Sequence, residues 1–248
     1  MNPEHGAPNQ RHPWLTARPI AHRGLHDAAR GIIENTAAAA AAAIAGGYGI
    51  EADLQVSADG EAIVYHDDAL GRLTEGAGLL RDLPAAALTR ITYKAAAEHL
   101  LTLGDLVDLV AGRTALVLEL KSRFDGDLRL AARTAAVLAR VAGPVAAMSF
   151  DPALVIALRQ LAPHLVRGIV AERHYRLPHW EALGALQKLE LAFLLHGWKS
   201  RPTSSPTGWT ILPPLRRGRR GLCSPCRCLP GRCAARNTAR WPHATPTR

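Results

Sequence analysis

Two short spacings place ionisable groups together on one side of the backbone. Glu51 and Asp53 stand two residues apart in the alternating run YGIEADLQVS (48–57), and Glu119 and Lys121 stand two apart at the end of TALVLELK (114–121). On a β-strand, residues i and i+2 share a face, so each pair presents both of its charges in one direction. His22 ends the first short strand, RPIAH (18–22), with Arg23 the next residue, and His66-Asp67 ends EAIVYHD (61–67). Three carboxylates with a lysine and an arginine suit a hard divalent cation, Mg²⁺ or Ca²⁺, beside a phosphate. The carboxylates supply oxygen ligands and the fixed cations face phosphate oxygens. Two histidines suit a general acid and a general base, because cleaving a phosphoester requires one proton removed and another delivered.

Taken singly, these fragments have ordinary readings. HRG (22–24) alone is a polar loop after a strand, and E-x-D alone is a solvent-facing strand edge. Glu119 is harder to dismiss, since a carboxylate inside an apolar strand is costly to bury without a partner. His26 and Asp27 read as loop residues, Glu34-Asn35 as a helix cap that braces the site, and Trp180, Phe193 and Trp198 as packing. Gln55 shares the strand face of Glu51 and Asp53 and receives no role.

The elements that must carry these groups alternate along the chain. RPIAH is a short strand with a glycine turn after it. ENTAAAAAAAIAGG (34–47) is a helix capped by Asn35 or Thr36 and stopped by Gly46-Gly47. Residues 48–57 and 61–67 form two strands around the turn Ser57-Ala58-Asp59-Gly60. Weak helical patterns at 83–89 and 102–111 precede the strand 114–121. Helix 126–143, strand 144–150, helix 152–163, strand 165–172 and a single helix 179–198 follow. Strands alternating with helices predict βαβ units around a parallel sheet, and polar residues at the C-terminal strand ends match the mouth of an α/β barrel. No glycine-rich dinucleotide fingerprint follows the first strand, which counts against an open doubly wound sheet.

Composition sets outer limits. The chain has 248 residues, 48% of them hydrophobic and 21% charged, as expected of one globular α/β domain. No apolar run reaches the ~18 residues a membrane span requires. The N-terminal MNPEHGAPNQRHPW has no apolar core of a signal peptide, so a cytoplasmic location is expected. The net charge of +9 is confined to one end. Residues 199–248 hold 11 of the 30 Lys+Arg, none of the 21 acids and all four cysteines, leaving a body of charge −2.

The ordered set HRG (22–24), EN (34–35), EADLQVSADGEAIVYHD (51–67), LTLGDL (101–106), LELK (118–121) and MSFDP (148–152) resembles the glycerophosphodiester phosphodiesterase family across residues ~18–198. The resemblance implies a TIM (β/α)8 barrel, a divalent metal, and hydrolysis of glycerophosphodiesters to glycerol 3-phosphate and an alcohol. It implies His22 and His66 as the catalytic acid/base pair and Glu51, Asp53 and Glu119 as metal ligands. Arg23 and Lys121 would hold the substrate phosphate. The implied partner is the small-molecule substrate alone, with no nucleic acid and no membrane span. A sphingomyelinase-like phospholipase on the same fold is disfavoured by the absent secretion signal and the lack of cysteines in the body.

Only about five barrel positions precede residue 198, where eight are required. The expected organisation is therefore an arm (1–17), an incomplete barrel (18–198) and an irregular basic tail (199–248) in place of the last ~3 strands. The tail contains eight of the 17 prolines and no periodicity. Codons can be chosen so that TSSPTGWTIL (203–212), read one base earlier, becomes DFIAYRVDDL, and LPGRC (229–233) permits PTWTV in the same frame. A frameshift is the leading reading of the tail. Its rivals are a zinc site of Cys223, Cys226, Cys228 and Cys233, nucleic-acid contact by RRGRR (216–220), and a disordered peptide. An open barrel exposes its interior, so an inactive remnant of the enzyme is the alternative expectation.

Overall fold

The computed structural model describes residues 12–171, 180, 183–193, 195, 197–200, 202–203 and 211–212. The central strand is β2 (Gly49–Val56), whose β-branched and leucine residues alternate with acids. Parallel neighbours flank it: β1 (Ile20–Ala21) on one side, β5 (Leu116–Leu120) on the other, then β6 (Val145–Ser149) and β7 (Val166–Ile169). β3 (Ala62–Val64) turns back antiparallel on β2, and β4 (Leu101–Thr102) lies antiparallel on β3. The turn between β2 and β3 is the one the sequence predicts, with Glu61 N–H donating to Ser57 Oγ at 2.8 Å and Gly60 at φ +87°.

The tail, expected to be irregular throughout, contributes one strand. β8 (Ile211–Leu212) pairs in parallel with β1. Thr203 lies along β7, donating its N–H to Arg167 O at 2.9 Å and accepting from Arg167 N–H on its hydroxyl at 2.6 Å. The parallel path is β8-β1-β2-β5-β6-β7, the sheet of a (β/α) barrel. The cysteines, RRGRR and LPGRC lie outside the described residues.

Helices α2 (Ala37–Ala45), α4 (Leu103–Val110), α5 (Arg129–Leu138) and α6 (Pro152–Leu161) cover the outer face of the sheet. Ile50, Ala52, Leu54, Leu116, Leu118 and Leu120 meet them there. Period-two alternation turns the other residues of β2 and β5 inward, and the interior splits in two along its axis. At the N-terminal end it is apolar, filled by Ile20, Val117, Ala146, Met148 and Val166. At the C-terminal end it is ionic, holding Glu51, Asp53 and Glu119, all buried.

Three expectations change. The N-terminal arm is not wholly irregular: α1 (Trp14–Ala17) inserts Leu15, 2% exposed, into the apolar end of the interior. The long helix over 179–198 is instead α7 (Ala185–Ala192) and α8 (Gly197–Ser200). Before α7 begins, Trp180 packs on Phe124 and Phe150, which follow β5 and β6, with ring centroids 6.1 and 5.1 Å away. Phe193, read as packing, is 68% exposed, and the Trp198 side chain lies outside the described ones. Finally, residues 66–100, which carry α3 (Ala85–Leu88), form an insertion with its own small core of Leu70, Leu80, Leu88, Tyr93 and Leu100 on Tyr65.

Candidate active site

Gly24 sets the entrance to the site. At φ +78° it turns the chain where a Cβ would stand 2.8 Å from Ala39, so α2 can pack directly on the loop. Arg23 also adopts φ +58°, and this turn aims its backbone N–H at Glu51 Oε2, 2.9 Å away. His22 Nε2 lies 3.9 Å from the same oxygen. The Arg23 side chain reaches in the other direction, with Nε 3.1 Å from Asp53 Oδ2 and Nη1 2.9 Å from Glu34 Oε1.

The parallel register sets Asp53 beside Glu119 and Glu51 beside Val117. Two carboxylates forced side by side need a cation, and Lys121 supplies it: Nζ is 2.6 Å from Glu119 Oε1 and 2.8 Å from Asp53 Oδ1. Asn35, at φ +58°, donates Nδ2–H to Asp53 Oδ2 at 2.9 Å and accepts the Asp53 N–H at 3.2 Å. Asn35 therefore braces the site, as expected, while Thr36 rather than Asn35 caps α2 by accepting from Ala39 N–H.

His66 stands on the other side. Its Nδ1 is 2.8 Å from Asp67 Oδ1, an arrangement that favours the proton on Nδ1 and leaves Nε2 as the second ring nitrogen. Gln55, to which the sequence assigns nothing, donates Nε2–H to His66 O at 3.0 Å and so ties the histidine backbone to β2. Arg72 is the residue sequence reasoning missed. It holds Asp67 through Nε at 2.5 Å and Glu34 through Nη2 at 2.7 Å. A single arginine in a loop reads as solvated, and no spacing announces this one.

The electrostatics follow from burial and neighbours. Burial, with Asp53 and Glu119 adding their charge, pushes the Glu51 carboxyl well above the ordinary carboxylate range. Burial also acts on Asp53, but Lys121 and Arg23 outweigh it and hold this carboxyl low. Glu119 is raised by burial against the pull of Lys121. Burial and the adjacent Arg23 lower His22 to about 4, so its imidazole is neutral at pH 7 and able to accept a proton.

Glu51, Asp53 and Glu119 offer oxygens all within 4.8 Å of one another, and among the described residues Glu51 Oε1 has no hydrogen-bond donor. These three acids face two cations, Arg23 and Lys121, so a divalent ion drawn to their oxygens would hold all three in the charged form. An all-oxygen, carboxylate donor set fits such a hard ion. A cleft beside Lys121 is lined by Gln55, Asp68, Arg81, Ser122 and Arg123. Among the described residues, no helix is long and apolar enough to cross a membrane.

Comparison with known proteins gives a family match. Residues 22–194 match the glycerophosphoryl diester phosphodiesterase family. A glycerophosphodiester phosphodiesterase of Caldanaerobacter subterraneus subsp. tengcongensis is 34% identical over 111 residues, covering 42% of this chain and 44% of that protein. Glycerophosphodiester phosphodiesterase 1 of Bos taurus is 43% identical over 82 residues, 32% of this chain and 23% of that protein. The matches thus span less than half the length of these curated relatives. Among solved structures, an Oleispira antarctica phosphodiesterase in complex with the product sn-glycerol-3-phosphate superposes with a TM-score of 0.58 at 27% identity, over 67% of this chain and 73% of that one. A glycerophosphodiester phosphodiesterase from Agrobacterium tumefaciens gives 0.52 at 28% identity, over 61% and 65%.

Proposed function

The chain belongs to the glycerophosphoryl diester phosphodiesterase family of hydrolases, and from that premise we propose that it cleaves glycerophosphodiesters to glycerol 3-phosphate and an alcohol with Mg²⁺ or Ca²⁺ bound. One observation carries the reading. Three buried carboxylates converge beside an arginine and a lysine, with Glu51 Oε1 left without a donor among the described residues. Glu51, Asp53 and Glu119 would hold the divalent ion, which when bound neutralises phosphate charge and acts as a Lewis acid.

The chain's own side chains supply the rest. Arg23 and Lys121 each keep donors beyond those given to Asp53, Glu34 and Glu119, and these bind the phosphate oxygens. His22, held neutral, takes a proton at the attacking oxygen. His66, its Nδ1–H held by Asp67, delivers one at the leaving oxygen from Nε2 of the doubly protonated ring. The cleft beside Lys121 receives a polar portion of the diester.

Purified full-length chain incubated with glycerophosphocholine or glycerophosphoethanolamine and either metal tests the reading. Release of glycerol 3-phosphate, loss of activity with EDTA and its return with metal are expected. Absence of turnover with metal bound, or turnover unaffected by His22→Ala, would overturn it.

A further inference from the structure

Arg72 enters the site from outside the barrel, on the insertion that follows β3. Its guanidinium grips Asp67 with two donors, Nε to Oδ2 at 2.5 Å and Nη2 to Oδ1 at 3.1 Å, and reaches Glu34 Oε1 with Nη2 at 2.7 Å. Each acceptor has a second duty. Asp67 Oδ1 is the partner of His66 Nδ1, and Glu34 Oε1 also accepts from Arg23 Nη1 at 2.9 Å. One guanidinium therefore closes an unbroken path, His66–Asp67–Arg72–Glu34–Arg23, from the end of β3 to the end of β1. Burial raises both carboxyls on it, but Arg72, together with Arg23 at Glu34 and His66 at Asp67, holds them below the usual range.

The loop that carries Arg72 is fixed in place although the side chain is half exposed. Leu70 N–H donates to Gly78 O, Lys94 N–H donates to Leu73 O, and the Lys94 ammonium holds Gly71 O. Buried Thr74 links the loop to Tyr65 through its hydroxyl at 3.4 Å. Leu70 is packed in the insertion core with Leu80 and Tyr93. This core lies beside the barrel sheet, and its packing holds the arginine at the barrel mouth.

We propose that Arg72 is a positioning residue of the hydrolytic site, orienting His66 through Asp67 and Arg23 through Glu34 at the same time. A planar fork spans both carboxylates, whereas an ammonium at the same place satisfies one. The inference rests on the hydrolytic reading of the site for its kinetic part and on geometry alone for its spectroscopic part.

Full-length chain with metal bound is compared with Arg72→Gln, Arg72→Lys, Asp67→Asn and Glu34→Gln. Arg72→Gln is expected to lower kcat and raise KM together, each on the order of 10- to 100-fold. Asp67→Asn moves chiefly kcat, and Glu34→Gln chiefly KM. Adding Arg72→Gln to Asp67→Asn then leaves kcat unchanged while KM still rises; adding it to Glu34→Gln does the reverse. Arg72→Lys recovers one parameter and not the other. Uniform loss of activity that tracks a lowered Tm, or kinetics of Arg72→Gln within about twofold of the parent, would overturn the proposal.

Two further measurements stand without turnover. Long-range ¹H–¹⁵N spectra recorded with the ring titrated to its neutral form should show His66, identified by His66→Gln, as the Nδ1–H tautomer in the parent and as a mixture in Arg72→Gln. Calorimetry should show glycerol 3-phosphate binding weakened in Arg72→Gln and Glu34→Gln alike. Unchanged spectra and affinity refute the role of Arg72, whereas a parent chain that gives these spectra yet hydrolyses nothing refutes the function and keeps the positioning role.

Discussion

Lys121 lies between two carboxylates that the strand register forces together, and its removal has a calculable direction. Lys121→Met leaves Asp53 and Glu119 buried without their shared cation. Breaking a buried pair from one side costs about 3–5 kcal/mol, so metal-free stability to urea should fall by that order. A divalent ion should recover part of the loss, since it brings positive charge to the same oxygens. Asn35→Ala takes the Nδ2–H donor from Asp53 Oδ2 and the acceptor from its N–H. It is expected to weaken metal affinity about 10- to 100-fold, measurable by titration calorimetry. At this scale the residue types were legible: His22, Arg23, Glu51, Asp53, His66, Glu119 and Lys121 all meet at one end of the sheet. Arg72 and Gln55 were not, because their roles come from hydrogen bonds across loops and not from any period in the sequence.

Among the elements, a four-residue helix closes the end of the interior opposite the acids. α1 exists to deliver Leu15 against Ile20, Val117, Ala146 and Val166. Burying a leucine is favourable by about 1.5–3 kcal/mol, and truncating one in a packed core costs about 2–5 kcal/mol. Leu15→Ala should therefore lower the unfolding free energy measured in urea by that order while leaving metal affinity unchanged, since the carboxylates sit at the opposite end of the strands. A change in metal affinity equal to that of Asn35→Ala would contradict this separation. The alternation of β2 and β5 made their faces readable in advance. α1 escaped because four residues carry no periodicity, and the split of 179–198 escaped because leucine spacing does not show where Trp180 must turn inward to meet Phe124 and Phe150.

The whole molecule should respond to pH through its buried acids. Glu51 and Glu119 bind protons more tightly when folded than when unfolded. Above the ordinary carboxylate range and below their folded values, the native state holds more protons, so metal-free stability falls as pH rises through that window. Metal selects the charged forms and should abolish the fall, adding about 2.7 kcal/mol at a hundredfold excess over Kd. His22 and His26, both lowered, act in the opposite sense up to the free imidazole range, so metal-free Tm from pH about 5 to about 8 is compared between the parent and Glu51→Gln; a parent Tm that does not fall relative to that variant as pH rises would contradict the sign. The tail supplies β8 beside β1, yet its composition still points to a shifted frame. An intact gene with no insertion or deletion near codons 199–203 would remove that reading.

By itself, the sequence determined which residue types lie on which strand face, because the period of two is a local property of the backbone. That was enough for the parallel α/β architecture and for the shared faces of Glu51 with Asp53 and of Glu119 with Lys121. Only the tertiary structure decided which charges neutralise one another. Asp53 is drawn to Lys121, Arg23 and Asn35 from three different segments, while Glu51 keeps an oxygen without a donor among the described residues. Charge pairing and desolvation act through space over a few ångströms, and residues that distance apart in the fold are separated by tens of positions along the chain.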